Sequence, residues 1–284
     1  MTKQGYLVVG ASGTVGSEIV RLLKEQGHAV RATTSKESRA QNKDGVEWVH
    51  LDVGTGAGIK AAFDGVDRAF FLSPPGYADM YKTLSPLVQE AKRRALKKVV
   101  LMTAMGANAT ETTPFRRVEI ELEKSGLTYN IVRPNWFMQN FNTFWVQGIK
   151  QQGKILLPAG KAKTSFIDAR DISAVAAKLL TGDSLNNRDF DITGPEAIDH
   201  DQVAEIISAV SKKNVVYQEV EPSVLQKGLI AAGLPEDYCN FLIMILGFLR
   251  EGYNAKVTEN VQLILGRPPI AFEQYAKDTK QAWI

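Results

Sequence analysis

The sequence is poor in the residues that build disulfides, metal sites and membrane spans. Its only cysteine, Cys239, excludes an internal disulfide, fits a reducing compartment and is expected to be a small buried residue. The three histidines (His28, His50 and His200) have no metal-ligand spacing, so no metal site is predicted. The longest apolar run, residues 241–249, is far shorter than the roughly 20 residues of a membrane-spanning helix. We expect a cytoplasmic protein without membrane contact, in which this run is a buried helix or a pocket wall.

The excess of positive over negative charge is also small. Lysine and arginine number 34 against 31 acidic residues, and the resulting net charge of +3 does not predict a nucleic-acid partner. The one dense basic stretch, residues 92–98, falls at the end of a predicted helix, where cations suit the negative end of the helix dipole. The chain contains neither a G-x-S-x-G nor a G-x-x-x-x-G-K-[ST] motif, which argues against an α/β-hydrolase and against nucleotide hydrolysis.

Short apolar runs alternate with amphipathic ones over the first half of the chain. Six runs have the length and composition of strands: Tyr6–Val9, Ala29–Thr33, Val46–Leu51, Ala69–Leu72, Val99–Met102 and Tyr129–Val132. Between them, apolar residues recur at helical spacing, as in residues 19–23 and 84–91. This alternation predicts an α/β fold, a doubly wound parallel sheet of the Rossmann type, in a first domain over residues 1–150.

The alternation of predicted strands and helices is less regular after residue 150. The pattern there predicts strands at Lys154–Leu157, Phe190–Thr193 and Val215–Val220, and helices at Ala169–Leu180, after Asp199 and from Pro222 onward. Asp199 followed three residues later by Gln202 is the signature of a helix-capping box. We expect a smaller, mixed C-terminal substrate lobe over residues 151–284, packed on the first domain without a clear linker and interleaved with it.

The segment GASGTVG at positions 10–16 follows the first strand and opens a helix. Gly10 permits a tight turn, Gly13 lets backbone N–H groups approach a pyrophosphate, and Gly16 lets the helix pack close to the sheet. The helix start then offers free donors and a positive dipole end to the phosphates. We therefore expect residues 1–150 to be a dinucleotide-binding domain. The alternative is a plain strand-to-helix turn that happens to be rich in glycine.

The end of the second strand bears on which dinucleotide binds. NAD enzymes usually carry an acidic residue there for the ribose 2′-hydroxyl. Here Ser35, Lys36 and Arg39 can bind a 2′-phosphate, and the first carboxylate is Glu37. NADP(H) is therefore the predicted cofactor, unless Lys36 and Arg39 only solvate a loop.

Further cofactor contacts are expected where the other strands end, at the carboxyl edge of the sheet. Asp52 either accepts a hydrogen bond from the adenine amino group or caps a helix. The predicted contacts within the first domain are Gly10, Ser12, Gly13, Thr14, Val15, Ser35, Lys36, Arg39, Asp52, Val53, Ser73, Pro74, Thr103 and Ala104.

Beyond these features, the chain carries motifs in IVRPNWFMQN (131–140), FIDARDIS (166–173) and DITGPEA (191–197). With the glycine loop, they make the chain resemble the NmrA-like branch of the atypical short-chain dehydrogenase/reductases. That branch includes NADPH-dependent quinone and triphenylmethane-dye reductases as well as redox-sensing regulators. The resemblance implies that Pro134, Asn135, Trp136 and Phe137 line the nicotinamide end of the cleft.

Several charged residues in these motifs have a structural interpretation. Glu119 and Arg133 are expected to form a bracing pair in preference to acting on a ligand. Asp168, Arg170 and Asp171 are expected to cap the following helix and to join the two lobes. Arg116 is expected either to enter the cleft or to point into water.

The chain departs from the family pattern in one important respect. The Tyr-x-x-x-Lys pair of short-chain dehydrogenases, which passes a proton to the substrate, is replaced by Glu111 and Phe115, and Thr103 lacks a partner base. Catalytic residues therefore remain unknown. We expect hydride transfer to a conjugated acceptor, such as a quinone, dye or imine, which needs little acid catalysis. The alternative is a non-catalytic NADP(H) sensor that binds a partner protein.

The acceptor is expected to be a small apolar or aromatic molecule. Its predicted contacts are Met105, Phe115, Trp136, Phe137 and the apolar run 241–249, whereas Phe241 and Phe248 themselves are expected to belong to the core. The protein is expected to be a monomer or a homodimer.

Overall fold

The computed structural model describes residues 5–284, and their contacts divide the chain into two compact units. Unit 1 extends to Pro134 and also includes Ile172–Asp191. Unit 2 comprises Asn135–Asp171 and Ile192–Ile284. Each unit is thus built from two separate stretches of chain, and the boundary predicted at residue 150 lies inside unit 2.

Nine strands occur in the described part of the chain. They are β1 (Gly5–Val8), β2 (Ala29–Thr34), β3 (Glu47–His50), β4 (Arg68–Phe71), β5 (Lys98–Met102), β6 (Tyr129–Pro134), β7 (Lys154–Leu157), β8 (Arg188–Ile192) and β9 (Val216–Glu219). All six strands predicted in the first half are confirmed, with ends shifted by one or two residues.

The helices of residues 5–284 alternate with these strands and follow one another closely after β9. They are α1 (Thr14–Glu25), α2 (Ile59–Ala62), α3 (Met80–Arg93), α4 (Pro114–Glu123), α5 (Val146–Gln152), α6 (Ala169–Thr181), α7 (His200–Ser211), α8 (Pro222–Ala231), α9 (Glu236–Arg250), α10 (Asn260–Leu265) and α11 (Phe272–Thr279). Short 3-10 helices cover Glu37–Arg39, Ala107–Ala109, Met138–Asn142 and Lys280–Ala282.

Unit 1 is a seven-stranded sheet in the order β3-β2-β1-β4-β5-β6-β8. The strands from β1 to β6 pair in parallel. β8 runs alongside β6 in the same direction, because Asn187 bonds to Tyr129 at one end and Asn135 bonds to Ile192 at the other. The central strands are apolar and buried on both sides, as a parallel sheet covered by helices requires. The predicted Rossmann-type architecture is confirmed.

Two buried cations, at the starts of β4 and β5, bind the end of α6 and the residue that follows it. Arg68 donates to the Leu180 carbonyl at 2.9 Å, and Lys98 donates to the Gly182 carbonyl at 2.7 Å. Burial lowers the pKa of Lys98 to about 8. Lys92 and Arg93 do lie in the last turn of α3, as predicted for the basic stretch, but Lys98 belongs to β5 and not to the helix end.

Unit 2 contains the parallel pair β7 and β9 and an aromatic core. The indole N–H of Trp283 donates to the Phe141 carbonyl at 2.8 Å, which ties the end of the chain into this core. The capping box predicted at Asp199 and Gln202 is present at the start of α7. The first residue of that helix, His200, is fully buried among the rings of Phe141, Trp145, Phe166 and Tyr217.

The apolar run 241–249 lies in α9, but most of this helix is not core. Cys239, Leu246 and Leu249 are buried, whereas Phe241 is half-buried and Phe248 is 51% exposed. The expectation that Phe248 is a core residue was therefore wrong. Among residues 5–284, no helix has both the length and the hydropathy needed to span a membrane.

Candidate functional site

The three loop glycines are required by the fold to different degrees. Gly10 has φ = +75°, and a Cβ there would lie 2.7 Å from the Leu72 side chain. A Cβ on Gly16 would lie 2.2 Å from the Gly10 carbonyl oxygen, which only glycine avoids. Gly13 has φ = −90°, and its Cβ would meet nothing closer than 3.4 Å. Packing therefore explains Gly10 and Gly16 but not Gly13.

The start of α1 is open to a ligand. Gly13 is the N-cap residue, no side chain caps the helix, and its first turn has no acidic residue. The N–H groups of this turn have no partner within the helix, so the site suits an anion. Ser12 and Thr14 are exposed, whereas the Val15 side chain is buried and leaves only its backbone to meet a ligand. The Gly10 N–H donates to Thr33 Oγ1 at 3.2 Å, which holds the loop against β2.

The residues beyond β2 are exposed and available. Ser35, Lys36 and Arg39 all lie at the surface, and the Lys36 N–H donates to Thr34 Oγ1 at 3.2 Å. Arg31 is paired with Glu47, but neither Lys36 nor Arg39 has an ion-pair partner in residues 5–284. Two cations thus stand unpaired where this fold class holds the adenosine ribose.

Asp52 closes a tight turn after β3. Its Oδ1 accepts the N–H groups of Gly54 at 2.8 Å and Thr55 at 3.3 Å. No helix begins there, since α2 starts at Ile59, so the helix-cap alternative is wrong. Tyr77, which the sequence analysis missed, packs its hydroxyl end against Gly54, where a Cβ would come within 2.4 Å of it. Val53 beside it is half-buried.

The strand ends nearer the middle of the sheet are tied to α3 and α4. Ser73 Oγ lies 2.9 Å from Thr83 Oγ1, and Pro74 is half-buried. Buried Thr103 donates its hydroxyl to Glu119 Oε1 at 2.6 Å, and Ala104 after it is half-buried. The expectation that Thr103 lacks a partner base was therefore wrong. Its proton is directed at Glu119 of α4, so that hydroxyl is not poised to protonate a substrate.

The Glu119 carboxylate binds three side chains. Arg133 donates to both of its oxygens at 2.8 Å, which confirms the predicted bracing pair. Arg116 donates to Glu119 at 3.0 Å and to Glu123 at 2.6 Å. The expectation that Arg116 points into water was wrong, because its side chain is mostly covered and pairs along its own helix. Its entry into the cleft stays a prediction.

Asn135 is the first residue after β6, and every hydrogen-bonding group of its side-chain amide has a partner. Its Nδ2 donates to Ser165 Oγ at 2.7 Å and to the Asn254 carbonyl at 2.8 Å. Its Oδ1 accepts from the Trp136 N–H at 2.9 Å and from Asn254 Nδ2 at 2.8 Å. An amide has two donors and one acceptor oxygen with two lone pairs, so none is left for a cofactor. The structure thus gives the Asn135 amide a positioning role that spacing along the chain did not reveal.

The remaining predicted contacts fall in both units. In unit 1, the Pro134 carbonyl accepts the Met105 N–H at 3.0 Å, and Phe115 is half-buried in the first turn of α4. In unit 2, half-buried Trp136 lies 6.2 Å from the Trp145 ring centroid, and Phe137 pairs with Ile167. Their roles toward cofactor and acceptor stay predictions.

Asp168 and its neighbours cap α6 as predicted. The Asp168 carboxylate accepts the Arg170 N–H at 2.8 Å and also pairs with the Arg170 guanidinium. Asp171 accepts the Ile270 N–H at 2.7 Å and pairs with Arg267. The partners named here all belong to unit 2, and the predicted joining of the lobes stays a prediction. No cluster of three His, Cys, Asp or Glu that could hold a metal ion occurs within residues 5–284.

Known proteins are similar to this chain in sequence and in fold. The NmrA-like family matches residues 2–262. An NAD(P)H azoreductase from Xenophilus azovorans is 31% identical over 277 residues, which cover 95% of this chain and 96% of the azoreductase. A triphenylmethane reductase of Citrobacter, solved with NADP(H), superimposes with a TM-score of 0.82 at 22% identity, over 96% of this chain and 99% of the reductase.

An NADPH-dependent quinone oxidoreductase of Escherichia coli, solved with NADPH, gives a TM-score of 0.83 at 19% identity, over 96% of this chain and 99% of that one. These two structures share the fold with the chain, while the azoreductase is similar to it over nearly its whole length in sequence. The chain therefore belongs to the NmrA-like family and is an oxidoreductase of its NAD(P)H-dependent kind.

Proposed function

We propose that this protein binds NADPH through unit 1 and reduces a flat, conjugated acceptor. The observation that carries the proposal is the glycine loop with the uncapped start of α1. Gly13 lacks a side chain although the fold has room for one, and the neighbouring N–H groups have no partner in the helix. A pyrophosphate lying on this helix start accounts for both facts.

The preference for NADPH over NADH rests on the end of β2. Lys36 and Arg39 are exposed and unpaired within residues 5–284, and Ser35 beside them adds a hydroxyl. A 2′-phosphate would form charge-assisted hydrogen bonds with these groups, whereas a 2′-hydroxyl would gain little from them. Asp52 would accept from the adenine amino group through Oδ2, since its Oδ1 is used by the turn.

The proposed acceptor class follows from the proton donors that this chain lacks. No Tyr-x-x-x-Lys occurs in the sequence, and the Thr103 hydroxyl is bound to Glu119. When bound, NADPH supplies the hydride, and the protein orients the acceptor and excludes water. Quinones, azo dyes and cationic dyes or iminium ions accept hydride without a strong acid nearby, and their product anion or neutral amine takes up any further proton from water. The names of the azoreductase and the dye and quinone reductases fit this class.

The test is a pair of measurements on the purified protein. Fluorescence titration is expected to give a Kd for NADPH at least tenfold below that for NADH, and Lys36→Ala with Arg39→Ala should remove the difference. Loss of nicotinamide absorbance is then followed with menadione, an azo dye and a cationic triphenylmethane dye. Tight NADPH binding without turnover on any acceptor would instead favour the sensor alternative. Equal affinity for both dinucleotides would refute the NADPH preference.

Three further properties belong to the same proposal. We propose that the protein works in the cytoplasm, as a monomer or homodimer, on small molecules and not on nucleic acid. A single cysteine and a net charge of +3 support the compartment and the substrate class. Light scattering of the purified protein measures the oligomeric state directly.

A further inference from the structure

The segment that follows α9 is fixed at its start by a helix-ending motif. Gly252 has φ = +84°, its N–H donates to the Leu249 carbonyl at 2.9 Å, and the Tyr253 N–H donates to the Phe248 carbonyl at 3.2 Å. These two bonds and the left-handed glycine form a Schellman motif. The motif fixes the backbone at Tyr253 relative to α9.

The same segment is held again just beyond Tyr253. The Asn254 carbonyl accepts the Ser165 N–H at 3.0 Å and Asn135 Nδ2 at 2.8 Å, while Asn254 Nδ2 returns a bond to Asn135 Oδ1 at 2.8 Å. Farther along, Ser165 Oγ donates to the Lys256 carbonyl at 2.7 Å. The backbone at Tyr253 is therefore fixed from both sides. The hydrogen bonds that tie Asn254 and Lys256 to Asn135 and Ser165 form a second anchor, to which Asn135 contributes.

Tyr253 is nonetheless mostly in water. Its side chain is 71% exposed, and that of Phe248, whose ring lies edge-on at 6.1 Å, is 51% exposed. A ring contact of this kind often accompanies a Schellman motif, so the motif accounts for the contact. It does not account for the second anchor, nor for two large aromatic rings left largely uncovered.

The second anchor also ties the segment to the residue that follows β6 in the chain. Asn135 comes directly after Pro134, the last residue of β6, and ligands of open α/β sheets bind beyond the carboxyl ends of the strands. Asn254, which follows Tyr253 in the chain, is bonded to Asn135. A rigid aromatic side chain binds a flat ligand with little loss of conformational entropy.

We propose that Tyr253, supported by Phe248, is the surface of unit 2 on which the flat acceptor stacks, and that Asn135 and Asn254 are the positioning residues that hold it there. This assignment rests on the proposed reductase function and names a residue for its acceptor. The ring provides the binding, and the hydroxyl is not required. The occupant is a planar aromatic molecule of the quinone or dye class, because flat rings stack favourably on exposed aromatic rings such as these two.

The test compares Tyr253→Ala, Tyr253→Phe and Phe144→Ala, using menadione and a cationic triphenylmethane dye as acceptors. Phe144 is a matched control, since it is an aromatic residue of unit 2 with 70% exposure. We expect Tyr253→Ala to raise KM for both acceptors about 3- to 10-fold, the range for one lost aromatic contact. Its kcat, its Kd for NADPH and its melting temperature should stay unchanged. Tyr253→Phe and Phe144→Ala should behave as the wild type.

A second readout separates this proposal from the function on which it rests. Quenching of protein fluorescence by the dye measures acceptor binding without turnover. If the wild type binds the dye but never oxidises NADPH, the proposed function fails, and weaker dye binding by Tyr253→Ala still supports the stacking surface. An unchanged KM and dye Kd in Tyr253→Ala would overturn the assignment. So would an equal effect of Phe144→Ala, or an effect of Tyr253→Phe as large as that of Tyr253→Ala, which would point to the hydroxyl.

Discussion

Replacing Gly13 with alanine adds one methyl group at the start of α1, where the fold leaves space for it. The nearest atom would be the Gly10 carbonyl oxygen at 3.4 Å, and the backbone at φ = −90° and ψ = 174° is allowed for alanine. Alanine is a poorer N-cap than glycine by up to about 1 kcal/mol. Alanine also lowers the conformational entropy of the unfolded chain, which offsets about 0.4–1 kcal/mol of this loss. The free energy of unfolding should therefore change by less than about 1 kcal/mol.

Binding of the cofactor should respond very differently. A methyl group between the pyrophosphate and the helix start would displace at least one N–H bond to a charged oxygen, which is worth about 1.5–3 kcal/mol. Because 1.4 kcal/mol corresponds to a tenfold change, the Kd for NADPH should rise about 10- to 100-fold. Fluorescence titration gives the Kd, and urea unfolding gives the stability of the same sample.

Gly16→Ala is the matched comparison. Its Cβ would lie 2.2 Å from the Gly10 carbonyl oxygen, so the backbone must shift, and we expect a loss of stability of about 1–3 kcal/mol. A Gly13→Ala protein that binds NADPH within twofold of the wild type would refute the placement of the pyrophosphate. A Gly16→Ala protein of unchanged stability would refute the packing argument.

Three further outcomes are expected from other parts of the chain. Asp199→Ala removes the capping box of α7 and should lower the free energy of unfolding by about 1 kcal/mol in urea titrations. Glu119→Gln removes the buried countercharge of Arg133, which keeps an ion pair with the half-exposed Asp189, and should lower that free energy by about 3 kcal/mol. Glu123→Gln, whose side chain is partly exposed, should change it far less. Burial lowers the pKa of His200 from 6.5 to about 4, so the unfolded state takes up its proton first and stability falls as the pH drops through this range. The wild type should lose about 2 kcal/mol more than His200→Phe between pH 7 and pH 5, and equal losses in both proteins would contradict this.

The sequence predicted those features whose cause is local along the chain. Strand and helix alternation depends on nearby apolar spacing, and it predicted the parallel sheet. The capping box at Asp199 and the turn at Gly10 depend on a few consecutive residues. The pairing of Glu119 with Arg133 was also predicted, as a charge pair that braces a helix against the sixth strand.

Features set by distant parts of the chain were missed. The use of the Asn135 amide depends on Asn254, which lies 119 residues away and in no recognisable pattern. Arg116 pairs along α4 because Glu119 is held in place by Arg133 from another element. Phe248 lies in a run that is apolar on all sides, and such a run does not show which of its faces is buried. The return of residues 172–191 to unit 1 includes contacts of Arg68 and Lys98 with backbone carbonyls, which composition does not show.

The interleaving of the two units affects how the chain matures on the ribosome. β8, the seventh strand of the sheet, is synthesised only after residues 135–171 of unit 2 have emerged. Until then β6 presents an unpaired edge, which is a ready template for wrong pairing with another chain. A nascent chain that stalls before Arg188 would therefore bind chaperones or aggregate. It would do so although it already contains the whole glycine loop. Neither unit can finish folding before part of the other has been made.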